Sequence, residues 1–138
     1  MVAMTQARQM QQREGARRSR PVAANVRILQ GAIVVMAAGV ANRATTALNL
    51  IADGIARETV DNTGGAAGAV RIEVEPGEFK FANSAAGDAI ALADVGADCF
   101  LVDDQTVAKT NGAGTRSRAG KITDVDANGV WVSIGIGR

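Results

Sequence analysis

The stretch VRIEVEPGEFKF, residues 70–81, alternates apolar and charged side chains more strictly than any other part of the sequence. In an extended chain its Val and Ile side chains point to one side, and the charged residues between them point to the other. Pro76-Gly77 is a turn signal, and the alternation resumes after it with Phe79 and Phe81. The stretch therefore predicts a β-hairpin with one face buried and the other in water.

Further short strands are predicted on both sides of this hairpin. Upstream, Ala38-Gly39 reads as a turn, and Asp53-Gly54 is a strong hairpin signal. Downstream, turns are expected at residues 103–105 and 126–129, with Gly129 in a left-handed conformation. A short helical turn is expected at residues 89–95. The predicted strands are residues 33–36, 40–43, 55–60, 99–102, 106–109, 121–125 and 130–134.

The composition agrees with an all-β fold of one domain. The apolar residues are mostly Ala, Val and Ile, aromatic residues make up 3%, and 16 glycines accompany only two prolines among 138 residues. Small and β-branched side chains suit the pleated surface of a sheet, and many glycines with few prolines indicate tight turns. We predict a small β-barrel or sandwich-like body of antiparallel hairpins.

The sequence of the predicted body also contains an internal similarity. Residues 32–41 resemble residues 99–108, 67 positions later, and Gly54 aligns with Gly120, 66 positions later. Two similar halves indicate a closed or nearly closed barrel with pseudo-twofold character. The alternative is that short β-sequences resemble each other by chance.

Residues 1–24 predict a flexible basic arm, which precedes a folded domain at residues 25–138. The arm holds five arginines against one glutamate, which gives +4, and the domain holds ten basic against thirteen acidic residues, which gives −3. Residues 4–14 favour a transient helix, and Pro21 marks the entry to the domain. The arm is expected to dock on protein rather than on nucleic acid, because it has no interleaved aromatic residues. The candidate contact residues are Arg8, Arg13, Arg17, Arg18 and Arg20.

The residue types needed for most catalysis are missing. The chain has no histidine and one cysteine, Cys99, for which a buried thiol is expected because no base is available to lower its pKa. The acidic pairs Asp103-Asp104 and Asp124 with Asp126 lie at predicted turns, where Asp caps its own backbone. We therefore predict no enzyme, no cofactor and no metal. Trp131 on the last strand is either a core residue or the anchor of an interface.

The same features bear on location. A single cysteine excludes an intrachain disulfide, the longest apolar run near residues 31–41 is too short to span a membrane, and no signal-peptide core is visible. The chain is expected to be made and kept in a reducing cytoplasm, or released from it only by lysis.

Four motifs resemble those of the capsid cement, or head decoration, proteins of tailed phages. They occur in order within residues 21–136: ETVDNTGGA at 58–66, GEFKFANS at 77–84, VDDQTVAKT at 102–110, and AGK at 119–121 followed by GVWV at 129–132. The arm contains more Gln and Arg than is typical of this family.

This resemblance implies a β-barrel-like protein that binds the major capsid protein on the outside of the virion, often as a homotrimer, and braces the shell. The arm would then contact the shell or neighbouring decoration copies. Two other readings stay open at this point: another virion part, such as a head-fibre base or a tail protein, and a nucleic-acid accessory protein that uses the arm.

Overall fold

In the computed structural model, which describes residues 2–138, nearly all regular structure is β. The strands are β1 Arg18–Pro21, β2 Arg27–Ile28, β3 Ile33–Ala37, β4 Val40–Arg43, β5 Ile51–Ala56, β6 Val60–Asp61, β7 Arg71–Glu75, β8 Gly77–Phe81, β9 Asp98–Leu101, β10 Val107–Ala108, β11 Arg118–Asp126 and β12 Gly129–Ile134. Two 3₁₀ helices, Ala86–Asp88 and Leu92–Asp94, lie between β8 and β9. Within residues 2–138 no helix is long and apolar enough to cross a membrane.

The strands form two five-stranded antiparallel sheets and one short ribbon. The first sheet has the order β1-β7-β5-β3-β4, the second has the order β10-β9-β11-β12-β8, and β2 pairs with β6. The predicted all-β fold is confirmed in its sandwich-like form. Between residues 2 and 138 no closed barrel is formed, because the two edges of each sheet are joined only by an isolated bridge: Val22 with Ala41 in the first, and Ala82 with Thr106 in the second.

The two sheets have the same strand order. Numbered along the chain, β1, β3, β4, β5 and β7 of the first sheet correspond to β8, β9, β10, β11 and β12 of the second. Both central strands, β5 and β11, also carry a register shift, at Asp53 and at Ala119. The predicted repeat is therefore present in the topology, with Gly54 and Gly120 directly after the shifted residue in each half.

Two apolar cores lie in contact with β3. The smaller core contains only first-half residues, among them Val34, Ile72 and Val74. The larger core joins Ile33 and Val35 to the second half of the chain. Because β3 is covered on both faces, its residues 33–35 are fully buried and do not alternate.

The predicted hairpin at residues 70–81 is correct in its strands and wrong in its pairing. β7 lies between β1 and β5 in the first sheet, whereas β8 pairs with β12 in the second. Since both hydrogen-bonding edges of β7 are already occupied, β8 cannot pair with it. Pro76, which has no backbone N–H to offer a sheet, is the single residue by which the chain crosses between the sheets.

The predicted turn at Asp53-Gly54 is also wrong. Both residues lie inside β5, where Gly54 pairs with Val34, Ala52 pairs with Val35, and Asp53 is the extra residue of a β-bulge. Gly54 has φ +149°, and a Cβ at this position would lie 2.3 Å from the Glu75 carbonyl oxygen. The Asp-Gly pair therefore lies where two strands approach each other closely, and the chain does not reverse there.

The strand predicted at residues 55–60 is wrong, because β5 ends at Ala56 and β6 begins at Val60. The other local predictions hold more closely. The strand pairs β3–β4, β9–β10 and β11–β12 are antiparallel as predicted, with turns near the expected positions. Gly129 has a positive φ of 155°. The helical turn expected at residues 89–95 is replaced by the two 3₁₀ helices, and only the second of these lies within that range.

Candidate functional site: the basic arm and its attachment

The folded body begins earlier than predicted. The arm was expected to extend to residue 24, but β1 starts at Arg18 and pairs along its whole length with β7. Val22 is fully buried and donates its N–H to the Val70 carbonyl at 3.0 Å. The boundary moves toward Arg18 because the strand is held by a sheet partner and by an ion pair, neither of which is visible in the local sequence.

Arg20 is attached to a buried carboxylate. Its Nε donates to Asp53 Oδ2 at 2.7 Å, and its Nη2 donates to Oδ1 at 2.9 Å. The Asp53 side chain is 0% exposed. This two-pronged geometry is the strong form of the arginine–carboxylate interaction. It also raises the pKa of Arg20, chiefly through the hydrogen bonds with Asp53.

Arg18 and Arg17 add to this cluster. Arg18 Nη1 lies 3.8 Å from Asp53 Oδ1, and Arg17 Nε lies 3.9 Å from Glu75 Oε1. Arg57 forms a further ion pair with Glu75. Four guanidinium groups therefore meet two carboxylates where β1, β5 and β7 lie side by side. We call this group, Arg17, Arg18, Arg20, Asp53, Arg57 and Glu75, the root cluster.

The five candidate arginines thus fall into two classes. Arg17, Arg18 and Arg20 belong to the root cluster, whereas Arg8 and Arg13 lie in an exposed segment without helix or strand. Within residues 2–138, neither Arg8 nor Arg13 forms an ion pair, whereas the other three do. Arg8 and Arg13 are therefore the arm arginines without an ion pair in the described body, and the structure does not bring them together with the other three.

Trp131 lies on the outer face of β12. Its neighbours Val130 and Val132 are buried on the opposite face, as predicted, while Trp131 is half-buried. Lys80 Nζ lies 5.4 Å from the indole centre and 3.1 Å from Asp126 Oδ2. Trp131 is therefore not part of the core, and the Lys80 side chain shields its ring.

The single cysteine, Asp103, Asp104 and Asp126 lie where the sequence indicates, whereas Asp124 lies inside β11 and not at a turn. Cys99 is buried, and desolvation raises the pKa of its thiol to about 12, so it stays protonated at neutral pH. Asp103 accepts from the Gln105 N–H at 2.9 Å, and Asp126 accepts from the Asn128 N–H at 2.7 Å. Within residues 2–138, Asp, Glu and Cys side chains form no group of three that could hold a metal ion.

No family model matches this chain, and no significant match is found among curated proteins or solved structures.

The residue that sequence reasoning missed is Asp53. Its position between apolar neighbours in IADGIA, residues 51–56, is the only local signal that a carboxylate is buried there. The Asp-Gly pair carries a turn signal of equal strength. The partner that decides between the two readings is Arg20, 33 residues away.

Proposed function

We propose that this protein is a capsid cement protein. It binds the major capsid protein on the outside of a tailed-phage head, as a homotrimer, and stabilises the shell. The observation that carries the proposal is an exposed segment containing Arg8 and Arg13, attached to the folded β-body through the root cluster. Together with the motifs in residues 58–132, this arrangement suits an adhesive part of a large assembly, since decoration needs only a contact repeated many times.

The attachment matters to this function. A decorating body transmits force to the shell only if its binding segment does not peel away from it. Strand β1 is held by ladder hydrogen bonds to β7 and by the Arg20–Asp53 pair. Removing one partner of such a buried pair costs about 3–5 kcal/mol.

The first experiment measures location and copy number. Purified virions of the phage that carries this chain should contain it in hundreds of copies per particle, and the isolated protein should co-sediment with expanded heads. A tail or fibre component would be present in far fewer copies. Absence of the chain from purified virions contradicts the proposal.

A pair of deletions separates binding from folding. Deletion of residues 2–14 should leave the thermal midpoint of the body within a few degrees of the full chain and greatly reduce binding to heads. Deletion of residues 2–20 also removes Arg18 and Arg20 and leaves Asp53 unpaired, so the midpoint should fall as well. Undiminished head binding after the shorter deletion would show that the arm is not the contact.

The same deletions test the other reading of the arm. Binding of the full chain to duplex DNA at low salt, lost on deletion of residues 2–14 and falling steeply with added salt, would favour a nucleic-acid role. The cement proposal predicts no such binding to DNA, because Arg8 and Arg13 would displace few counterions from the DNA backbone.

A further inference from the structure

The exposed segment before Gly15 has a helical pattern that the body does not use. Met4, Ala7 and Met10 recur every three residues, and each residue of an α-helix advances by about 100°, so the three would line one side. Met4 and Met10 are 68% and 72% exposed. Their apolar side chains have no partner in the described body, although their spacing matches one helical face.

The two arginines of the segment would flank this stripe. Arg8 and Arg13 would fall on opposite flanks of the apolar stripe, about 40° beyond Met4 and about 60° beyond Met10. Thr5, Gln9 and Gln12 would occupy the far side. Gln11 and Glu14 would lie on the same side as the stripe, in the turn that follows Met10. The apolar stripe therefore covers only the first two turns, with one positive charge along each edge.

The segment also has the composition and the end signal of a helix. Met, Ala, Gln, Arg and Glu, which dominate residues 4–14, are good helix formers. Gly15 has φ +73°, the left-handed conformation that commonly follows the last residue of a helix. A helix of eleven residues is marginal by itself in water, which accounts for the absence of helix in the isolated chain.

These features select the kind of partner. Amphipathic segments that lie on membranes are usually rich in Lys and Arg on the polar side, with Trp, Phe or Leu on the apolar side. This stripe has two Met and one Ala, and Met side chains adapt to irregular protein surfaces. The flanking arginines call for carboxylates on both sides of the partner's apolar surface.

We propose that residues 4–14 fold into an α-helix on the partner and seat Met4, Ala7 and Met10 in an apolar groove edged by acidic side chains. This inference rests on the proposed function, in which the groove belongs to the capsid shell. Gly15 ends the helix three residues before β1, so the root cluster stays intact when the helix forms.

A distance measurement tests the fold of the bound segment. Thr5→Cys and Gln12→Cys, both on the far side of the helix, take spin labels in the full-length chain, while Cys99 is buried. Seven residues span about 24 Å when extended and about 10.5 Å in a helix. On expanded heads the label separation should shorten accordingly, whereas an unchanged distance on head-bound protein overturns the helix.

Matched variants test the stripe and the helix separately. Gln9→Pro should weaken head binding at least about tenfold, and Gln9→Ala at the same position should not, because only proline breaks a helix interior. Met4→Gln with Met10→Gln should weaken binding by at least about as much. Gln9→Ala with Gln12→Ala, on the far side, should leave it unchanged.

The outcomes for the two proposals are distinct. Failure of the unaltered chain to bind heads contradicts the proposed function and removes the partner on which the helix is proposed to form. If the unaltered chain binds heads and Gln9→Pro binds equally well, the cement function stands and the helix is wrong.

Discussion

The two sheets have the same strand order, but equivalent positions hold charged residues in the first sheet and apolar residues in the second. In the first sheet, Arg18 and Arg20 of β1 lie opposite Val74 and Ile72 of β7. In the second sheet, the aromatic residues of β8 occupy the matching places: Phe79 and Phe81 lie opposite Val132 and Val130. The bulged residue of the central strand is Asp53 in the first sheet and Ala119 in the second, and both are buried.

One topology therefore tolerates either an ionic or an apolar filling. The apolar filling gains stability from burial alone, whereas the ionic one must offset the cost of removing charges from water. The ionic filling has a different use, because a two-pronged hydrogen-bonded pair fixes one register of β1 against β5 and β7. We interpret the first half as the one specialised to hold the arm in place.

Introducing a buried carboxylate into the second sheet should have the largest effect on stability. Ala119→Asp places a carboxylate among apolar neighbours without a guanidinium, and we expect a loss of more than about 4 kcal/mol in unfolding free energy. The deficit should shrink as the pH falls, because burial raises the pKa of an isolated carboxyl group and the neutral form is tolerated better. Urea unfolding at several pH values measures both effects, and Ala119→Asn is the size-matched uncharged control. A variant as stable as the control would mean that the second sheet can accept the ionic filling.

Removing the charge from the first half should come next. Asp53→Ala leaves the guanidinium groups of Arg18 and Arg20 partly buried without their carboxylate, and we expect a loss of about 3 kcal/mol in urea unfolding.

A combined variant gives the control for this prediction. Arg18→Leu, Arg20→Leu and Asp53→Ala together reproduce the apolar chemistry of the second sheet and should recover most of the lost stability. A triple variant that is no more stable than Asp53→Ala would show that the ionic filling is required for packing and not only for pairing.

Substitution of the glycine after either bulge should lower the unfolding free energy. A Cβ at Gly54 would lie 2.3 Å from the Glu75 carbonyl oxygen, and one at Gly120 would lie 2.2 Å from that of Ser133. We expect Gly54→Ala and Gly120→Ala each to cost about 1–3 kcal/mol, with Gly54→Ala the more severe because its φ is also positive. Gly87→Ala, where nothing lies within 4 Å, should change the unfolding free energy little. Equal stability of all three variants in thermal unfolding would refute the close strand crossing.

The smallest effect is expected on the outer face of the second sheet. Hydrogen bonds from Lys121 and then Arg118 hold the pKa of Asp98 below its usual range. A lowered pKa adds stability above the unfolded value of about 4 and loses it as the pH falls through the folded value. Asp98→Asn should therefore cost less than about 1 kcal/mol at pH 7, since the pair is exposed and screened, and the difference should vanish in acid. Asp124→Asn, which breaks no ion pair, is the control, and a deficit that persists in acid would assign the loss to packing.

Local patterns predicted the strands better than their partners. Alternation in residues 70–75 predicts β7 because only neighbouring residues decide which side chains share a face. The same alternation could not reveal that β1 and β5 occupy both of its edges, since those strands lie 53 and 20 residues upstream of Arg71 at their first residues. The same limit applies to the candidate site. Charge and composition predict exposed arginines in the arm, which is correct for Arg8 and Arg13. They cannot reveal that Arg18 and Arg20 pair with a buried carboxylate.

By itself, the sequence determined the all-β class, the buried thiol of Cys99, the hairpins β3–β4, β9–β10 and β11–β12, and the repeat that relates the two halves. These follow from side-chain size, alternation and turn residues, all of which act over a few positions. Only the tertiary structure decided that the arm ends at Arg18 and that Asp53-Gly54 lies inside a strand. Both depend on a buried carboxylate meeting a guanidinium 33 residues away, and a charge is stable inside a protein only where the fold brings it an opposite charge.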